Sequence, residues 1–477
     1  MERILTVCQM RNADKFTIEK LGILEEELVE RAGLAVAEVI KKQFKGGRVI
    51  VFVGKGNNGK DGLVVADILS KNHGFAVDVF NVENPNYNLF NKKYDILIDC
   101  IFGTGLNKEI TGYYREIIEK INALDCYKIS CDIPSGINGD NGKIMGVAVK
   151  ADLTVAIQEF KVGHFLNDGI DYSGKVVCKD IGISVWDENV IKRIDDRDAK
   201  KCFENRNRNV HKGCFGKACV IGGSKDLSGS VLLSANALAS LKSGVGYSYT
   251  CVPKRMFNAY VGKTPESILI ALNDDENSIV LDETSLEKVI DCDCIAIGMG
   301  LSVTKGVYDT IEYLLNNYKG TLLIDADGLN CISKFGKEIL KNKTCKVVLT
   351  PHIGEFSKLL GIEKKKIIDN IIPYTVDFAR EYNVILVVKS SVSVISDGKE
   401  VYLNTTGCSG MAKAGSGDVL SGLTAGLIAR VHDDLNAVLT SAYVFGKAGE
   451  FAEAKYNEHT LTASEIISEI PNVINSL

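Results

Sequence analysis

NTTGCSGMAKAGSGDVLSGLTAGLIA, from Asn404 to Ala429, places small residues ahead of a helical pattern and sets Gly-Ser-Gly-Asp at the junction. The free N–H groups of Gly415, Ser416 and Gly417 would open that helix, where aligned peptide dipoles favour negative charge, so they suit a phosphoryl group in transfer. Asp418 follows, placed to take the proton of an attacking hydroxyl. A capping aspartate with turn glycines would account for Asp418. It would leave the Gly-rich approach on both sides without a reason.

Outward from this segment, apolar runs of strand length recur between helical patterns: KACVIGG at 217–223, CIAIGMG at 294–300, LLIDADG at 322–328, VVLTP at 347–351 and VILVVKS at 384–390. A second series occupies the first half, with VIVFVG at 49–54, FAVDVF at 75–80, ILIDC at 96–100 and KISCDIP at 128–134. This rhythm predicts βαβ units and mostly parallel sheets. A helical stretch from Ala13 to about Phe44, interrupted by Gly22 and Gly33, is expected to pack on the first sheet. From about Val190 to Asn209 the pattern collapses into charge, which marks a domain boundary. The expected fold class is α/β, with two tandem three-layer αβα domains over residues 1–205 and 206–477, a division that suits a chain of 477 residues. The motifs of the two halves differ, so they are not internal repeats.

A net charge of -5, with no long basic run, leaves no footprint for nucleic acid and favours small-molecule work. The apolar runs fall short of a membrane span, and Met1 to Met10 holds no long apolar stretch, so a soluble, unexported, cytoplasmic protein is expected. Fourteen scattered cysteines without a CxxC pair read as reduced thiols. Cys292 and Cys294 flank an aspartate but lack a second Cys/His pair, which argues against a metal there.

In the first half, GKGNNGKDG (Gly54 to Gly62) follows a strand and opens a helix, a turn whose N–H groups suit a phosphate. Glycine for turn geometry alone is the bland alternative, against which Asn57, Asn58 and Asp61 add polar contacts. Two neighbouring strands end in IDCIFGTGL, with Asp99, and SCDIPSG, with Asp132 and Ser135. Ligands of open parallel sheets sit beyond the carboxyl ends of the strands, so these three turns converge on one site.

Together with ADLTVAIQEFKVG (Ala151 to Gly163), these motifs resemble the NAD(P)H-hydrate epimerase family over Met1 to about Asn205. The resemblance implies that Asn57, Asn58, Gly59, Lys60, Asp61, Gly103, Thr104, Gly105, Leu106, Asn107, Lys108, Glu109 and Asp132 line a hydrate site. It also implies a potassium ion near Asn58, Asp99 and Ser135, whose oxygens suit a hard cation. Lys60 departs from the family, which usually has glycine, so its side chain must point away from a phosphate or help neutralise it. Epimerisation needs a positioned acid-base group; Asp132 is the candidate, and Lys161 is either a second one or a solvated strand-end lysine.

From about Arg206 onward, HKGCFGKACVIGGSKDLSGSVLLSANALASLKSGVGY, IGMGLS, IDADGLN, LTPHIGEF, the GSGD segment and HTLTASEI are similar, in that order, to ADP-dependent NAD(P)H-hydrate dehydratases of the ribokinase-like superfamily. A Rossmann-like first domain and a ribokinase-like second domain are thereby implied. So are hydrate contacts at Ser230, Gly300, His352 and Asp418, nucleotide contacts at Lys389, Ser390, Ser391, Val392, Ser393 and Gly417, and catalysis by Asp418. ADP rather than ATP, with Mg2+, is the implied donor. KSSVS, GCSG and Met299 replace the usual Lys-Gly-x-x-Thr, Gly-Asn-Pro-Gly and proline, and the lost glycine at Ser390 could restrict backbone approach. The expected partners are NAD(P)H hydrates and adenine nucleotide, with no nucleic acid or membrane, in a homo-oligomer. The alternatives are a vitamin or sugar kinase that leaves its product phosphorylated, and a non-catalytic dinucleotide sensor.

Overall fold

The computed structural model describes residues 1–187, 189–238 and 240–477. The chain divides into two compact units, Arg3–Val190 and Ile191–Leu477, the latter joined by Met1–Glu2. The division falls at the start of the charged stretch, whereas the expected boundary lies at 205. The reason is local: Arg193 pairs with Glu2 and Asp198 with the N-terminal amine, so the charges are spent inside the second unit.

In the first unit the strands are β1 (Glu2–Leu5), β2 (Gly47–Val53), β3 (Phe75–Asn81), β4 (Ile96–Cys100), β5 (Tyr127–Cys131), β6 (Leu153–Ile157), β7 (Phe160–Lys161) and β8 (Lys175–Lys179). Six of them form a parallel sheet ordered β3-β2-β4-β5-β6-β8. Val49 to Val53 are all buried, as a strand covered on both faces requires. One face carries α1 (Val7–Glu19), α2 (Glu25–Gln43) and α3 (Asn57–Ser70), and the other carries α4 (Gly112–Ala123). The expected single stretch from Ala13 is thus two helices. The first starts earlier because Thr6 and Gln9 form a capping box, and the chain turns at Gly22, whose φ of +73° suits glycine. Gly33 lies inside α2, where a Cβ would come within 2.5 Å of Val64 on α3. The strand order reverses between β2 and β4, and a crevice opens there.

The second unit's strands are β9 (Ile191–Arg193), β10 (Lys217–Ile221), β11 (Tyr247–Pro253), β12 (Ile268–Leu272), β13 (Cys294–Ile297), β14 (Thr321–Ile324), β15 (Lys346–Leu349), β16 (Ile385–Val388), β17 (Ser393–Ser396) and β18 (Val401–Asn404). They lie in the order β12-β11-β10-β13-β14-β15-β16-β17-β18-β9, parallel from β12 to β16, with β17 antiparallel to both neighbours. The helix Ser416–Val431 lies against the helix Ser228–Leu238 with almost no gap. A Cβ on Gly422 would fall 2.0 Å from the Ser234 carbonyl oxygen, which explains the run of small residues. Order reverses between β10 and β13. All fourteen cysteines are free thiols, Cys292 and Cys294 are buried, and among the described residues no group of three or more His, Cys, Asp or Glu could hold a metal ion. No helix among the described residues is long and apolar enough to cross a membrane.

Candidate active sites

At the first unit's reversal point a cleft of about 750 Å³ opens beyond the carboxyl ends of β2, β4 and β5. Its floor is the turn into α3. A Cβ on Gly59 would meet the Gly54 oxygen at 1.9 Å, so only glycine lets this turn close. Asn57, Asn58, Asp61, Gly103, Thr104, Gly105, Leu106, Asn107, Lys108 and Asp132 all line the cleft. Gly59, Lys60 and Glu109 are not on its wall. The Lys60 ammonium reaches Glu25 at 3.0 Å, which resolves the departure at this position in favour of a side chain turned aside.

Asp132 holds a left-handed backbone, φ +67°, and such strain at a non-glycine residue calls for outside support. The support is dense. Its Oδ1 accepts from the Lys161 ammonium and from Ile157 N–H, and its carbonyl oxygen meets His164 Nε2 at 2.8 Å. Lys161 is 1 % exposed and also donates to the Ile157 carbonyl oxygen at 2.6 Å. It is a buried ion-pair partner, so the solvated alternative is set aside. Burial, then the charge of Asp132, pushes the Asp61 carboxyl up to about 8. Asp14, also on the cleft wall, is raised by burial to about 6 against the pull of Lys161. Asp14 was absent from the sequence reading, although it sits on the buried stripe of α1 with Met10, Ala13 and Thr17.

Beneath the cleft, Asp99 is fully buried and accepts from Ser130 Oγ, Ser135 N–H, Ser135 Oγ and Ile101 N–H. Burial nonetheless raises its proton affinity. Asn58 donates to the Cys131 carbonyl oxygen, while its Oδ1 is buried without a hydrogen-bond partner among the described residues. A buried amide oxygen left over on Asn58 is the kind of donor a hard cation takes.

In the second unit, Gly415 adopts φ +94° and turns the chain into the helix Ser416–Val431. Asp418 is pushed up to about 6, by burial first and then by the charge of Asp325, with hydrogen bonding from Ser230 opposing. Ser416 Oγ is buried with no partner among the described residues. Lys389, at the end of β16, meets Asp325 at 2.7 Å, and Ser421 Oγ donates to the other oxygen of Asp325 at 2.6 Å. A Cβ on Gly417 would lie 3.2 Å from Lys389 Nζ. Gly300, φ +67°, comes so close to Ser230 that a Cβ would sit 3.0 Å from the serine Cβ.

His352 caps the helix Ile353–Leu360: its Nδ1 accepts from Gly354 N–H at 2.9 Å, and Glu355 returns a bond to the His352 N–H. Two N–H groups on Nδ1 place the ring proton on Nε2, which stands 3.5 Å from Glu355 Oε1. Burial and the charge of Lys389 lower its proton affinity. The parallel bridge between His352 and Lys389 puts both at one end of the sheet. Ser390 and Ser391 are exposed at the β16 to β17 turn, Val392 is buried, and Ser393 begins β17. Ser390 is not among the residues with positive φ, so the lost glycine imposes no strain. Asp325 and Glu355 were unassigned in the sequence reading, although the motifs IDADGLN and LTPHIGEF contain them.

Two doubly wound units, each with acids and a helix N-terminus at the carboxyl ends of its strands, define an α/β nucleotide-handling enzyme with a ribokinase-like second half. Residues 218–472 match the NAD(P)H-hydrate dehydratase family, and residues 25–92 and 85–163 match the YjeF-related protein N-terminus. The bifunctional NAD(P)H-hydrate repair enzyme Nnr of Moorella thermoacetica is 31% identical over 99% of this chain and 97% of its own. That of Thermofilum pendens is 30% identical over 100% and 97%. The Bacillus subtilis ADP/ATP-dependent NAD(P)H-hydrate dehydratase, co-crystallized with ATP/Mg2+, is 25% identical, covers 60% of this chain and 98% of its own, and superposes with a TM-score of 0.52. A ribokinase-like superfamily protein of Enterococcus faecalis, 20% identical over 61% of this chain and 98% of its own, shares the fold with a TM-score of 0.53. The chain belongs to the family of bifunctional NAD(P)H-hydrate repair enzymes.

Proposed function

We propose that this protein returns hydrated NADH and NADPH to their working forms, residues 1–205 epimerising the R and S hydrates and residues 206–477 dehydrating the S hydrate with ADP. The observation that carries it is Asp418, half-buried and raised to about 6, at the mouth of a helix whose first glycine lies against the Lys389 ammonium. Ionised Asp418 takes the proton of the hydrate's hydroxyl, whose oxygen attacks the terminal phosphorus of ADP; AMP leaves. The N–H groups of Gly415 to Gly417 and Lys389 hold the charge on the moving phosphoryl group. Phosphate then departs from the ring carbon, a proton leaves the adjacent carbon, and the conjugated ring is restored. Phosphorylation is needed because hydroxide is a poor leaving group. His352 Nε2–H and Ser230 are suited to orienting the hydrate. Magnesium accompanies the nucleotide's phosphates.

In the first unit Asp61, raised to about 8, is a proton donor at neutral pH. Asp132, ion-paired with Lys161, is an acceptor, so the cleft can remove and return protons at the hydroxyl-bearing carbon. Asn58, Asp99 and Ser135 would hold potassium, whose positive charge would keep Asp99 ionised and the floor of the cleft ordered. The cytoplasm as location and a homo-oligomer as assembly complete the reading; light scattering on the purified protein checks the latter.

Purified protein, magnesium, ADP and hydrated NADH should restore the reduced-nicotinamide absorbance, with ATP as a parallel donor. No recovery with either nucleotide would sink the reading, and a phosphorylated hydrate accumulating in its place would favour a kinase.

A further inference from the structure

Asp325 stands at the N-cap of the helix Ala326–Phe335, yet its side chain makes no capping hydrogen bond. An aspartate there ordinarily stabilises its helix through such a bond. This carboxylate, 1 % exposed, turns away instead and binds two other elements, with Lys389 Nζ on one oxygen at 2.7 Å and Ser421 Oγ on the other at 2.6 Å. Backbone strain follows immediately in the chain, since Ala326 adopts φ +49° without being glycine.

Three elements are therefore tied at one carboxylate: the end of β14, the end of β16 and the helix Ser416–Val431. Gly417 lies where these two meet: a Cβ there would stand 3.2 Å from Lys389 Nζ and 3.8 Å from Asp325 Oδ2. The ammonium consequently rests against the first turn of the helix, beside the N–H groups suited to phosphate. An ammonium has three donors; one is on Asp325, and among the described residues no other partner holds it. Left alone, the long lysine stem would sample many rotamers, and ordering it at each binding event would cost affinity.

We propose that Asp325 is a positioning residue for phosphoryl transfer: anchored by Ser421, it holds Lys389 across Gly417 with two donors aimed at the nucleotide's phosphates. This rests on the reading above that the nucleotide docks at the Gly415 to Asp418 turn. The negative charge of Asp325 also contributes to the raised proton affinity of Asp418, which gives the idea a second readout.

The test uses the full chain as wild type, Asp325→Asn and Ser421→Ala. Calorimetry measures ADP binding with magnesium, and steady-state assays follow ADP-dependent recovery of NADH from about pH 5 to pH 8.5. Asp325→Asn should weaken ADP roughly tenfold, in Kd and in KM, and move the acid limb of kcat to lower pH. Ser421→Ala, which removes one of the two bonds on Asp325, should weaken ADP a few-fold in Kd and in KM in the folded protein. If Asp325→Asn does not fold, Ser421→Ala alone decides. ADP binding that is unchanged or tighter in the folded variants, with the acid limb in place, overturns the proposal. A wild type that binds ADP but restores no NADH overturns the functional reading while the comparison of Kd values still stands. A wild type that binds no ADP overturns both.

Discussion

Asp418 must be ionised to act as a base, and burial holds its carboxyl at about 6. Dehydration should therefore be level above that pH and fall as the pH drops through it, a profile that a pH series of initial rates checks. Asp418→Asn should lower dehydration by at least the roughly 10²–10⁴-fold typical of a lost general base while leaving epimerisation intact. Glu355 carries the opposite sign for stability. Its folded value is raised from 4.5 to about 7, so it favours folding while protonated and that contribution is lost as pH rises toward 7. Glu355→Gln keeps an acceptor for the His352 N–H and should raise the melting temperature at pH 8 but hardly at pH 5, read by thermal unfolding. Residue types were legible in the sequence at this scale, whereas their protonation was not. Lys161 looked as much like a solvated strand-end lysine as a buried one, because burial depends on what packs over it.

At the scale of elements, strands were the most legible. ILIDC and FAVDVF mark β4 and β3 almost to the residue: the first is buried throughout, as a covered strand requires, and the second, half exposed and interrupted by Asp78, is marked by its β-branched and aromatic residues. The turns at Gly54 to Gly62 and Gly415 to Asp418 open helices as expected. Less visible was why the helix Ser416–Val431 is so rich in small residues. They let it lie against the helix Ser228–Leu238, and Gly422→Ala should therefore cost about 1–3 kcal/mol, since the clash is with backbone that cannot rotate away. A lowered melting temperature checks it, and no loss would mean that the two helices slide freely. The strands β1, β7 and β9 escaped notice; β7 and β9, of two and three residues, carry too little periodicity to declare themselves.

The whole molecule joins two chemistries whose intermediates are small and diffusible. Asp132→Asn should stall on the unfavoured hydrate epimer, and Asp418→Asn should convert neither. Mixed in one tube, the two variants should drain both epimers nearly as well as wild type, as followed by absorbance and by chiral separation of the remaining hydrate. Failure of the mixture, with each variant's other activity intact, would mean that the product of one unit never leaves the molecule.

By itself the sequence determined the two α/β units, their order, the Gly-rich turns and the acid that follows each. Those properties are local: backbone freedom, apolar periodicity and adjacency along the chain are written in neighbouring residues. Only the tertiary structure decided that Lys60 turns to Glu25, that Lys161 is sealed against Asp132, that Asp14 reaches the cleft, and that Asp325 reaches Lys389 and Ser421. Charge pairing and proton affinity follow distance through space and the water that packing removes, and residues 64 and 96 positions apart meet only once the sheet has formed.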